Sequence, residues 1–104
     1  MSTTLPQNPQ PISPSSRFPL GRVVFTPGAE QALAESGVSL RSLLRRHQCG
    51  DWGTVCPQDA KENEYSVEHG FRILSSYPVG NAKRVWIITE ADRSTSTILL
   101  PDEY

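Results

Sequence analysis

The spacing of apolar positions changes twice along this chain. After Ser39, a helix-capping residue, Leu40, Leu43, Leu44 and His47 fall at i, i+3, i+4 and i+7, which predicts one buried helical stripe with Arg41, Arg45 and Arg46 off it. Upstream, Thr26-Pro27 reads as a cap and a first-turn proline, opening a helix that runs to about Ser36 and stops at Gly37. Pro57 opens a third helix that carries Asp59, Glu62, Asn63, Glu64, Tyr65 and Val67 to a stop near Gly70. Beyond it the chain turns β-prone, in runs over residues 71–77, 83–90 and 94–100. Pro78-Val79-Gly80-Asn81 and Ala91-Asp92-Arg93 separate them, which predicts a three-stranded antiparallel meander. In the middle run Val85 and Ile87 lie on one face and Trp86 and Ile88 on the other, so this strand is expected at the sheet centre. With the short β-prone run Arg22-Val23-Val24-Phe25, the pattern gives an α+β fold: an N-terminal strand and helices packed on the meander in two layers.

Residues 1–19 stand apart. Pro6, Pro9, Pro11, Pro14 and Pro19 lie among Ser, Thr, Gln and Asn, with Leu5, Ile12 and Phe18 the sizeable apolar side chains. Such a stretch cannot bury enough surface to offset its chain entropy, so a disordered leader is expected over 1–19 and a single domain over 20–104. This leader also explains why the 104-residue chain is only 37% hydrophobic. Ten basic against eleven acidic side chains provide no global positive field, so a nucleic-acid partner would need a local patch. No apolar run approaches the roughly 20 residues of a membrane span, and no signal-peptide pattern opens the chain. A cytoplasmic protein with two free thiols, Cys49 and Cys56, is expected.

Four groups of residues could carry chemistry. His47, Cys49, Cys56 and His69 are zinc-ligand types, but their spacing lacks the close pairs of zinc sites, so neither metal nor cofactor is expected. Arg41, Arg45 and Arg46 form a compact basic patch on the second helix, suited to a phosphate or an acidic partner unless the acidic third helix neutralises it. In Gly50-Asp51-Trp52-Gly53 the tryptophan either plugs helices onto the sheet or, with Asp51, anchors a partner. The turn bearing Glu90, Asp92 and Arg93 is either a rigid recognition tip or a self-satisfied turn.

The succession Gly50-Asp51-Trp52-Gly53, Asp59, Asn63, Ser75, Tyr77, the stretch Trp86-Ile87-Ile88-Thr89-Glu90-Ala91-Asp92-Arg93-Ser94, and finally Leu99-Leu100-Pro101 and Tyr104 resembles a family of small bacterial proteins labelled plasmid-related. The resemblance extends from about Phe18 to Tyr104 and implies a setting on plasmids and other mobile elements, without an activity to transfer. In topology the strand, helices and meander also look like the RelE- or BrnT-type ribonuclease toxins.

No complete catalytic set is visible, so the reading leans away from an enzyme. The leading expectation is a protein-binding factor of mobile elements that modulates a host defence or regulatory protein, with Trp52, Asp51, Glu90, Asp92 and Arg93 as contact residues. The alternatives are a metal-independent ribonuclease toxin using Arg93, His47 or His69, and Tyr104, or a nucleic-acid-binding regulator using the Arg41, Arg45 and Arg46 patch.

Overall fold

The computed structural model describes residues 16–104; of the leader expected over residues 1–19, residues 1–15 lie outside the described residues. The helices form where their end signals stand. In α1 (Pro27–Ser36) the Thr26 hydroxyl accepts from the Ala29 amide at 3.1 Å, and Gly37 ends the helix in a left-handed turn. In α2 (Leu40–Gln48) Ser39 caps through the Ser42 amide, and α3 (Pro57–His69) ends at the left-handed Gly70.

The meander is present as β2 (Ile73–Val79), β3 (Lys83–Thr89) and β4 (Thr95–Leu99), with β3 between its neighbours. Two details differ from the sequence reading. The N-terminal strand β1 (Arg22–Phe25) joins the sheet itself, pairing parallel with β4 in the register Arg22↔Thr95 to Phe25↔Ile98. Among the described residues the sheet is therefore four-stranded and mixed, in the order β1-β4-β3-β2. Pairing with β4 satisfies backbone groups of both strands, a demand that local sequence does not display. In addition, β2 absorbs Pro78 and Val79, because a proline without an amide is tolerated on an edge strand.

One sheet face is the main core. Tyr77, Val79, Val85, Ile87 and Ile98 pack under Ala29, Ala32 and Leu33 of α1 and Leu43 of α2. On the opposite face the Trp86 ring meets Tyr104 edge-on at 5.7 Å, and the Tyr104 hydroxyl accepts from Arg72 at 2.9 Å. A second cluster joins Phe18, Trp52 and Ile73. Phe18 and Arg17 therefore belong to the packed domain, although composition placed them in the leader. Phe18 is buried edge-on to His47, and the Arg17 amide donates to the Gln48 carbonyl. A single ring with two aromatic neighbours anchors a stretch whose average composition is polar.

The outer edge of β2 is closed by non-strand groups. The Ser76 amide donates to the Trp52 carbonyl at 3.1 Å, and the Thr54 amide donates to the Ser76 carbonyl at 2.7 Å. Two residues back along β2, the Asn63 side chain imitates a strand, donating to the Leu74 carbonyl at 2.8 Å and accepting from its amide at 3.1 Å. An unpaired edge is a template for aggregation, and this one is covered from Leu74 to Ser76.

Candidate protein-binding surface

The β3–β4 turn is held from inside. Asp92 accepts from the Ser94 amide at 2.9 Å, an Asx-type turn, and its hydrogen bonds to Ser94 hold its carboxyl below the ordinary value. Arg93 takes a positive φ of 62°, which turns its side chain back under the hairpin. Its guanidinium donates to the carbonyls of Phe71 at 2.7 Å, Ser66 at 2.7 Å, Glu90 at 3.1 Å and Ala91 at 3.3 Å, and lies over the Phe18 ring. Arg93 is thus a clamp between the hairpin tip and the C-terminal end of α3, where a cation also suits the helix dipole. Glu90 pairs with Arg72 at 3.4 Å, leaving Asp92 as the exposed charge at the tip. Because the carbonyls left by Arg93→Ala include partly buried ones, that substitution is expected to lower unfolding free energy by about 2 kcal/mol in urea titrations.

The clamp holds an aromatic ladder that the sequence reading did not single out. Tyr65 and His69 are one turn apart on α3, and the turn at Gly70 folds Phe71 back beside them. The Tyr65 ring stacks on His69 at 4.1 Å between centroids and nearly parallel to Phe71 at 5.8 Å. Both large rings face solvent, Tyr65 at 57% and Phe71 at 52% of full exposure. Glu68, beside His69 at 3.8 Å, gives the surface an acidic border, and a shallow groove of about 500 Å³ continues it along Pro57, Gln58, Lys61, Glu62 and Tyr65. The i, i+4 spacing of Tyr65 and His69 was the available signal.

The other candidates are placed elsewhere. Trp52 is buried at 6% exposure, stacked near Phe18, with its indole N–H donating to Glu64 at 3.1 Å; it is the plug, not an exposed anchor. Asp51 pairs with Arg46 at 2.7 Å, and this bond, reinforced by the Gly53 amide, holds its carboxyl below the ordinary value. Arg46 also lies over the Tyr77 ring at 4.6 Å, so the basic patch is divided: Arg46 is tied to the loop while Arg41 and Arg45 stay exposed on α2. Among the described residues no group of three or more His, Cys, Asp and Glu could hold a metal.

His47, one of the two histidines that the ribonuclease alternative offers, is fully buried in a chain of hydroxyls, whereas His69 and Tyr104 are exposed. Ser96 donates to the Leu20 carbonyl at 2.8 Å, so its oxygen receives the Thr89 proton at 2.7 Å. Thr89 must then accept from His47 Nε2–H at 2.9 Å, leaving Nδ1 to accept from Ser75 at 2.6 Å. Both nitrogens are engaged in the neutral tautomer. Desolvation, with the nearby Arg93 charge, pushes the imidazole pKa down to about 3.

Compared with known proteins, the chain matches no family model, no curated protein and no solved structure. Among the described residues no helix is long and apolar enough to cross a membrane.

Proposed function

We propose that this domain is a non-enzymatic protein-binding factor, and that it engages a partner with the end of the molecule formed by Tyr65, His69, Phe71 and the Asp92 tip. The observation that carries this reading is the stacked, exposed pair Tyr65 and Phe71 beside a backbone clamped by Arg93. Rings already ordered before binding lose little entropy on contact, and aromatic side chains dominate binding energy at protein interfaces. Glu62, Glu68 and Asp92 favour a partner with a basic rim and disfavour a nucleic-acid backbone. The setting on a mobile element, with a host defence or regulatory protein as target, rests on the resemblance carried by the stretch from Trp86 to Ser94 and by Leu99, Leu100, Pro101 and Tyr104.

The test is capture from the native host with the wild-type chain and with Tyr65→Ala/Phe71→Ala, analysed for both protein and nucleic acid. A specific protein retained by the wild type and lost by the variant at least about tenfold, with thermal unfolding unchanged, is the expected result. Recovery of RNA or DNA in its place, cleavage of RNA by the purified chain, or capture insensitive to the substitutions would overturn the reading.

A further inference from the structure

The two edges of the sheet are treated differently. The β2 edge is closed by the Trp52–Thr54 backbone and by Asn63, whereas β1, at the other end of the order β1-β4-β3-β2, has β4 as its sole strand partner among the described residues. The Arg22 amide donates to the Ser94 carbonyl at 2.9 Å and the Thr26 amide to the Ile98 carbonyl at 3.0 Å. Backbone direction alternates along a strand, so the amides and carbonyls of Val23 and Phe25 point away from β4, toward the open edge. Their side chains are also exposed, Val23 at 37% and Phe25 at 47%. Of the usual protections the strand has one charge, Arg22 at its start, and neither a lysine, a proline nor a bulge.

We infer that β1 pairs antiparallel with β1 of a second copy of this chain, joining two sheets into one across a two-fold axis. Outward-facing residues must pair with outward-facing residues, and of the registers this allows the one that pairs both Val23 and Phe25 within the strand sets Val24 opposite its own counterpart, Val23 opposite Phe25, and Arg22 opposite Thr26. This register is complementary in chemistry as well as in geometry. Each Val23 meets a Phe25, an aromatic–β-branched cross-strand pair. Each Arg22, which has no ion pair within its own chain among the described residues, comes opposite the Thr26 whose hydroxyl donates to the Glu103 carboxylate at 2.5 Å. The two-fold axis makes that Arg22-to-Glu103 approach twice. A foreign strand would satisfy the backbone equally well, but the charge at both ends of β1 fits a copy of itself.

The experiment uses the full chain in two readouts. Sedimentation equilibrium across a concentration series is expected to show a monomer–dimer equilibrium. Phe25→Lys, which changes an exposed side chain, should weaken it at least about tenfold. Arg22→Glu should weaken it as well, and Arg22→Glu combined with Glu103→Lys should restore part of the loss. In parallel, hydrogen exchange at the Val23 and Phe25 amides should slow as concentration rises, while the Val24 amide, directed at β4, stays protected throughout. A chain that is monomeric at every concentration overturns the inference. So does a dimer insensitive to both Phe25→Lys and Arg22→Glu, or protection of Val23 and Phe25 that does not depend on concentration.

Discussion

Gly53→Ala is expected to cost about 4 kcal/mol of stability, a large part of the 5–15 kcal/mol typical of a domain, whereas Gly37→Ala should cost only about 1 kcal/mol. Both glycines have a positive φ, 75° at Gly53 and 73° at Gly37, so a Cβ is strained at either position. They differ in their surroundings. A Cβ on Gly37 meets nothing within 4 Å, while one on Gly53 overlaps the Ser76 carbonyl oxygen and stands 2.8 Å from a Tyr77 ring carbon and 2.9 Å from the Ser76 carbonyl carbon. The neighbours are backbone and a buried ring, and neither can move aside. Relief requires lifting the loop, which breaks the hydrogen bonds from Ser76 to Trp52 and from Thr54 to Ser76 and withdraws Trp52 from Phe18 and Ile73. Withdrawing a buried tryptophan costs on the scale of its truncation, about 3–5 kcal/mol. Urea denaturation of the two variants side by side checks the difference; equal losses would mean that the loop does not depend on close approach to β2.

The same loop shows what local sequence can and cannot disclose. Helix ends were legible because each is marked by a residue acting on its own neighbours: Thr26 on the Ala29 amide, Ser39 on the Ser42 amide, Gly37 and Gly70 by their backbone freedom. The partner of β1 was not, since no property of Arg22-Val23-Val24-Phe25 points to a strand more than seventy residues further on. Trp52 allowed two readings until Phe18 and Glu64 were placed around it. Arg93 likewise could belong to a recognition tip or to a self-satisfied turn, and its guanidinium is drawn inward by the Ser66 carbonyl of α3 and the Phe71 carbonyl just beyond that helix. The ladder was hidden for a subtler reason. Helix α3 runs beside the β2 edge, where it must supply hydrogen bonds, so its buried positions are Asn63 and Ser66 and its outer face keeps Tyr65. Hydrophobic periodicity identifies a face that packs on apolar surface; a helix that seals a sheet edge buries polar residues and escapes that signal.

The second large effect is acid lability above the range in which carboxylates act. In the unfolded chain His47 takes up a proton near its ordinary pKa of 6.5, whereas in the folded domain burial holds the imidazole neutral until about pH 3. Between those values the unfolded state binds more protons, so stability must fall as pH falls, by up to about 1.4 kcal/mol per pH unit. From pH 7 to pH 4.5 the expected loss is about 2.5 kcal/mol, a substantial part of a small domain's margin. Among the described residues the groups that bond, stack on or act as a charge on the ring are Ser75 of β2, Thr89 of β3, Phe18, Trp52 and Arg93; none of them supplies a carboxylate to stabilise an imidazolium. Asp51, Glu64, Asp92 and Glu103 also have carboxyl groups held below their ordinary values, but the sign of their contribution separates them in pH. A depressed carboxyl stabilises the fold above its unfolded pKa, and that stability is lost only as the pH drops through about 4.5 and below. The window from pH 6.5 to 5 therefore belongs to His47. Chemical denaturation at intervals across it should give a falling midpoint for the wild type. His47→Gln can donate to Thr89 and accept from Ser75 without titrating, and should give a flat one, even if its stability at pH 7 is lower. Parallel slopes for the two proteins would show that the buried imidazole is not what acid attacks first.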